Sequence, residues 1–297
     1  MSISTVLLSS GPGWSVHDVR CTSGPQDRPF EEQHREVVIA VVTSGTFTYR
    51  TTQGAAVLAP GSALLGNSGH CFECGHEHGV GDRCLSFRFA PELVESVLAE
   101  LPSLRRIGFA LPCLPPIPAL IPVVAEAEAA RQGDSDVSLE EMALGVVATV
   151  AGALAQANLP SRSKRGAGEA ARRRRDEKRV TEALRRIEAE SDRPLSLREL
   201  ARDAAMSPYH FLRTFRSVAG VTPHQFLLHT RLQRAAARLR CSSERISAIA
   251  ADAGFNDLST FNRRFRRLIG TNPGDYRSGQ GVNPHSGLYC AADLQAC

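Results

Sequence analysis

The 297-residue chain predicts an α+β protein in two parts. An N-terminal small antiparallel β-barrel or sandwich with accessory helices is followed by a C-terminal all-α domain of two helix-turn-helix units joined by a long helix. Three observations predict this. Short β-prone segments separated by turn residues fill about the first third of the chain, and one short helical unit is written twice between Leu197 and Tyr276. The charge is also unevenly divided: residues 1–160 carry 9 Lys+Arg against 17 Asp+Glu, whereas residues 161–297 carry 26 against 14. Only the second half is therefore suited to a polyanion.

The β-prone segments come first. Val37–Thr43 is a β-branched run stopped by Ser44-Gly45; Thr46–Thr51 alternates Thr with Phe and Tyr; Ala55–Leu58 ends at Ala59-Pro60-Gly61; Ala63–Leu65 ends at Gly66-Asn67. Cys84–Phe89 sets Leu85, Phe87 and Phe89 against Ser86 and Arg88, the period-2 pattern of a half-buried strand. A small-molecule pocket in the mouth of such a barrel is expected. Helical spacing takes over at Pro91–Leu101, and the proline-rich Pro112–Pro122 cannot be one helix. Ser138 with Glu141 forms a capping box before the apolar stretch Met142–Leu154. That helix either packs on its own barrel or forms a subunit interface.

Residues 159–175, with Pro160, Gly166, Gly168 and the run Arg172–Arg175, have the composition of an exposed basic linker. They divide an N-terminal domain, 1–158, from a C-terminal domain, 176–278; the Gly-, Asn- and Ser-rich residues 279–297 predict a disordered tail. No apolar run is long enough to cross a bilayer. Met1–Ser10 lacks the basic start and long apolar core of a secretory signal. A cytoplasmic protein without a membrane partner is expected, its 8 cysteines reduced.

In the helical half, Val180, Leu184 and Ile187 mark one apolar face and Ser196 with Glu199 caps the next helix. Ser207-Pro208 opens a second helix that Gly220 stops, with Phe211, Phe215 and Val218 inward; Thr222-Pro223 opens a long helix to about Arg240. The pattern then recurs: Ile249-Ala250 repeats Leu200-Ala201 at an offset of 49, while Phe261, Phe265, Gly270 and Pro273 repeat Phe211, Phe215, Gly220 and Pro223 at 50. One residue has been added in the second turn, where an insertion costs least. Tyr209, His210, Leu212, Arg213 and Arg216 are left to the outer face of one helix. Leu258, Ser259, Thr260, Asn262, Arg263 and Arg267 are left to that of its repeat. A long rigid spacer between two such helices suits adjacent major grooves.

The segment Val180–Arg277 resembles the DNA-binding domain of the AraC/XylS family of bacterial transcription regulators. The residues that carry the resemblance are Leu200-Ala201, Ser207, Phe211, Phe215, Gly220 and Pro223, then Ile249-Ala250, Gly254-Phe255, Phe261, Arg263-Arg264-Phe265, Gly270, Pro273 and Tyr276-Arg277. The N-terminal half resembles, less specifically, the cupin-like sensor domain of that family. The resemblance implies base-edge positions at Tyr209, Leu212 and Arg213, and at Leu258, Ser259, Thr260 and Arg263, with Arg216 and Arg267 beside them. It implies a regulator rather than an enzyme, an activator that meets promoter DNA, RNA polymerase, a small effector and a second copy of itself.

Between the strands lies a cluster of Cys71, Cys74, His76, His78 and Cys84, rich in glycine. Three uses are open: a packed structural loop, a site for zinc or another transition metal, and a thiol switch between Cys71 and Cys74. A rival class, a metal-dependent cupin enzyme fused to a DNA-binding domain, requires ligands beyond His76 and His78 and an open coordination position; His34 is the early histidine near a strand that could join them.

Overall fold

The computed structural model describes residues 3–77, 79–99, 108–132, 138–156 and 167–279. Its N-terminal part holds ten strands: β1 Ile3–Gly11, β2 Trp14–Cys21, β3 Phe30–Gln33, β4 Val37–Gly45, β5 Phe47–Thr51, β6 Gly54–Leu58, β7 Ala63–Gly66, β8 Cys71–Gly75, β9 Asp82–Phe89 and β10 Cys113–Leu114. They form two antiparallel sheets, one of six strands in the order β1-β2-β9-β4-β7-β10 and one of four in the order β3-β8-β5-β6.

Strand β4 shows why both faces of the larger sheet are apolar. Val37, Ile39 and Val41 enter a core with Phe87, Phe89 and helix residues Val124, Met142 and Val146. Val38, Ala40 and Val42 enter a second core with Phe47, Tyr49, Leu58 and Cys74 of the facing strands and Cys84 of the neighbouring β9. A strand covered on both sides reads as a continuous apolar run rather than an alternation. The space between the sheets is filled by these side chains, Tyr49 and Leu58 being fully buried.

Strands β1, β2, β3 and β8 are absent from the elements the sequence suggests. Strand β1 lies at a sheet edge with Val6 and Leu7 exposed, so burial imposes no alternation on it. Cys71–Gly75, which the sequence suggests as loop, is strand β8, paired with β3 and β5.

Helices α1 Pro91–Ala99, α2 Ile121–Gln132 and α3 Leu139–Gln156 cover the larger sheet. The proline-rich stretch resolves into β10, a 3₁₀ turn at Pro118–Leu120 and the start of α2. Met142, Ala143, Val146, Val147 and Val150 of α3 are buried in the sheet's own core, which is the first of the two uses expected for that helix.

The predicted linker 159–175 is not extended throughout. Helix α4 runs Ala167–Ala189 and takes in the arginine run. Arg172 faces Asp176 and Arg173 faces Glu177 at i,i+4, the second pair at 2.8 Å, so carboxylates one turn on support helix where the run alone suggests a solvated coil. Residues 157–166 and 280–297, the latter nearly all of the expected disordered tail, lie outside the described residues.

The rest of the chain is α5 Leu197–Asp203, α6 Pro208–Ala219, α7 Pro223–Cys241, α8 Ile246–Asp252, α9 Leu258–Ile269 and α10 Pro273–Arg277. The repeat survives in three dimensions. Gly220 and Gly270 end α6 and α9 in the left-handed conformation, φ 77° and 92°. Ser207 and Asp257 cap the same two helices, and Thr222 and Asn272 cap the next.

The two halves pack against each other over a large apolar seam. Ile121 and Ala125 of α2 join Leu232, Ala235, Ala236 and Leu239 of α7 in one core, while Val57 and Ala59 at the end of β6 join the core beneath α6. The long helix thus serves as spacer between the two units and as the seat of the N-terminal sheets. One buried polar group on the seam, the ring of His229, donates through Nδ1 to the carbonyl of Pro116 at 2.9 Å.

Candidate nucleic-acid interface and a buried thiol cluster

The outer faces of α6 and α9 follow from their amphipathic spacing. Phe211 and Phe215 are fully buried, as are Phe261 and Phe265, and at 3.6 residues per turn this turns the intervening polar residues outward. Tyr209 is 71% exposed and Leu258 42%. Arg213, Arg216, Ser259, Arg263 and Arg267 are exposed, and Leu212 and Thr260 half-buried. All nine sequence-derived positions therefore lie on, or at the margin of, the two outer faces. Leu212 and Thr260 sit closest to the hydrophobic frame.

The guanidinium of Arg213 lies 5.8 Å from the centre of the Tyr209 ring, which presents a cation and an aromatic edge together. Arg263 points from α9 into a shallow groove of about 740 Å³ that it lines with Leu258, Asn262, Arg266 and Arg267. At the mouth of α9, the Asp257 carboxylate is held below its usual range by the backbone N–H of Thr260, 2.7 Å away. That cap uses the negative charge to fix the helix start. Arg266, the counterpart of Arg216 at the repeat offset of 50 but not among the nine, is exposed and lines the same groove.

The cysteine and histidine residues are sorted by the pleat. On β8, Phe72 and Cys74 face inward and Cys71 outward, where it is exposed. Residues three apart on a strand point to opposite sides, so Cys71 and Cys74 do not share a site. His78 lies outside the described residues. His76 is buried, and its Nε2 donates to Asp82 Oδ1 at 2.5 Å while its Nδ1 lies 4.0 Å from Cys21 Sγ. Cys84 donates to Asp82 Oδ2 at 3.4 Å. Burial, with Asp82 next, pushes the thiols of Cys74 and Cys84 well up.

Cys21 and Asp82 were missing from the expected cluster. Strand pairing of β2 with β9 sets Cys21 opposite Asp82, and nothing local in the sequence marks this. His34, the histidine that could join His76 in the rival enzyme reading, bonds the Tyr49 hydroxyl at 2.7 Å and stacks on Phe72 with ring centres 4.0 Å apart. It is absent from the Cys21, His76 and Asp82 group.

Two helix-turn-helix units on one rigid spacer, beneath a β-sheet sensor domain, define a class: the two-domain bacterial transcription regulators. Residues 200–279 match the model of a helix-turn-helix domain, and residues 19–136 match that of an AraC-like ligand binding domain. The regulatory protein SoxS of Salmonella typhimurium is 35% identical over 91 residues, covering 31% of this chain and 85% of that protein. The chain belongs to the AraC family of transcriptional regulators.

Other relatives match over similar lengths. The HTH-type transcriptional regulator Rv1931c of Mycobacterium tuberculosis is 39% identical over 79 residues, 27% of this chain and 30% of the relative. Across the longer curated relatives the match spans about a third of their length. Among solved structures, the DNA-binding domain of AdpA in complex with a target DNA aligns at 29% identity over 34% of this chain and 90% of that one, with a TM-score of 0.33. No helix among the described residues is long and apolar enough to cross a membrane.

Proposed function

We propose that the chain is a sequence-specific promoter-binding activator, working in the cytoplasm, that reads DNA with α6 and α9 and is governed by a signal received in its N-terminal sheets. The observation that supports this most is the matched exposure of the two helices. Each buries its phenylalanines and leaves arginine beside polar or aromatic groups outward. Arg213 and Arg263 have the chemistry for bidentate contact with guanine, and Ser259 and Thr260 for hydrogen bonds to either kind of edge. Leu212 and Leu258 suit thymine methyls. The surrounding arginines supply phosphate contacts and most of the salt-dependent affinity.

RNA polymerase and a second copy of the chain are the expected protein partners. The signal, whether a small effector, a metal or a thiol state, acts through the packed seam between α2 and α7. That seam fixes how the two reading helices sit.

Footprinting of the full-length protein on the DNA flanking its own gene tests the reading. Protection of two major-groove segments about one helical turn apart on one face is expected. Protection with no sequence preference, equal on random DNA, would overturn it.

A further inference from the structure

The two β-sheets meet at a cluster that the DNA-binding role does not use. Cys21 ends β2 and Asp82 begins β9, paired across the larger sheet; Cys84 follows on β9. Cys74 lies on β8 of the smaller sheet, and His76 follows it directly. Cys21, Cys74, His76 and Cys84 are all buried. A ligand atom from each of Cys21, His76 and Asp82 lies within 4.8 Å of the others.

The orientation of His76 is informative. Its Nε2 donates to Asp82 Oδ1, which leaves Nδ1 as the ring nitrogen aimed toward Cys21. A carboxylate behind an imidazole, with the free nitrogen facing a thiol, is the arrangement by which proteins fix a histidine as a metal ligand. Cys84 Sγ donates to Asp82 Oδ2 at 3.4 Å and shares with Cys74 the buried core between the two sheets. Three thiols and one imidazole make the closed N/S set preferred by zinc-class ions.

We propose that Cys21, Cys74, Cys84 and His76 Nδ1 bind a thiophilic divalent cation of the zinc class, with Asp82 orienting His76. Binding exchanges the protons of the thiols for the ion, with no change of oxidation state. The ion ties the larger sheet to the smaller one. It also lies next to the seam with the helical half. Asp82 is paired with Gly45 in the β4–β9 ladder, and the Gly45 N–H faces Glu188 Oε1 of α4 at 3.4 Å. Occupancy is thus placed to be felt at α4, which packs on the first reading unit.

The test uses untagged full-length protein and Zn²⁺ or Co²⁺ alone. One zinc per chain is expected, with a thiolate-to-metal charge-transfer band in the cobalt form and a Tm that falls by more than about 5 °C on chelation. Cys21→Ser should abolish the band, and Asp82→Asn should weaken affinity about 10- to 100-fold. Cys71→Ser, outward on β8, should bind like the parent chain.

Absence of stoichiometric zinc together with an unchanged Tm overturns the proposal, as does equal loss in Cys71→Ser and Cys21→Ser. Alkylation of Cys21 at equal rates with and without added Zn²⁺ also overturns it. Should Cys21→Ser fail to fold, the cobalt spectrum of the parent chain and the Asp82→Asn titration decide. No DNA enters these measurements, so their failure is separable from failure of the promoter-binding reading.

Discussion

Glu126 and Arg240 form an ion pair, Oε1 to Nε 2.6 Å, with side chains only 9% and 6% exposed. Glu126 sits on α2 of the sensor domain and Arg240 near the end of α7. Arg240 also lies over the Tyr276 ring at 5.5 Å and donates to the Tyr276 carbonyl. One guanidinium therefore joins the N-terminal half to the last helix of the second helix-turn-helix unit.

Removing one partner takes away the opposite charge that faces the other at this buried site. Glu126→Ala should destabilise the protein by about 3–5 kcal/mol in urea unfolding. The paired replacement Glu126→Leu with Arg240→Met should recover most of that loss. Additive losses from the two single changes would show that the pair is not coupled.

His229 predicts acid sensitivity at the same seam. Burial lowers its imidazole from 6.5 to about 4, so the folded chain holds it neutral while the unfolded chain takes a proton. The contribution is present above pH 6.5 and is lost as pH falls through the window down to 4. His34, lowered to about 4 by burial, acts with the same sign. Each is worth roughly up to 3 kcal/mol. Unfolding free energy measured between pH 7 and 4 should fall, and His229→Asn should flatten the slope. An unchanged slope in that variant would remove His229 from the account.

Arg213→Ala and Arg263→Ala should each weaken operator binding by about 1–3 kcal/mol, measured by fluorescence anisotropy, and relax preference at one base position. Tyr209→Ala should cost less alone and be partly redundant with Arg213→Ala, because the ring and the guanidinium lie together. Equal losses on operator and random DNA would make the arginines phosphate contacts.

The repeat itself yields a stability prediction. Ala205 has φ 50°, whereas Gly254, at the same place in the second unit, has φ 87°. An alanine pays for a left-handed backbone that glycine adopts freely. Ala205→Gly should therefore raise stability by about 0.5–1 kcal/mol. Gly254→Ala should lower it by more, since a Cβ there would meet the Asp192 carbonyl oxygen at 2.7 Å. Thermal melts of both variants check this; a loss in Ala205→Gly would refute the strain argument.

The sequence by itself determined the helical half almost completely. Caps, phenylalanine spacing and terminating glycines act within a few residues of where they stand, so Ser207, Phe211, Phe215 and Gly220 specify α6 wherever the chain carries them, and the outward arginines follow. Strands are less legible because their partners are distant: β8 becomes a strand only through pairing with β3 and β5.

Tertiary structure alone decided two things. It set α2 against α7, burying Glu126 beside Arg240 across 114 residues of sequence. It also replaced the local Cys71 and Cys74 pair by a cluster in which Cys21 meets His76 across 55 residues. The reason is the same in both. A pleat sends Cys71 and Cys74 to opposite faces, and only the register between β2 and β9 brings Cys21 to Asp82, a relation that no spacing along the chain encodes.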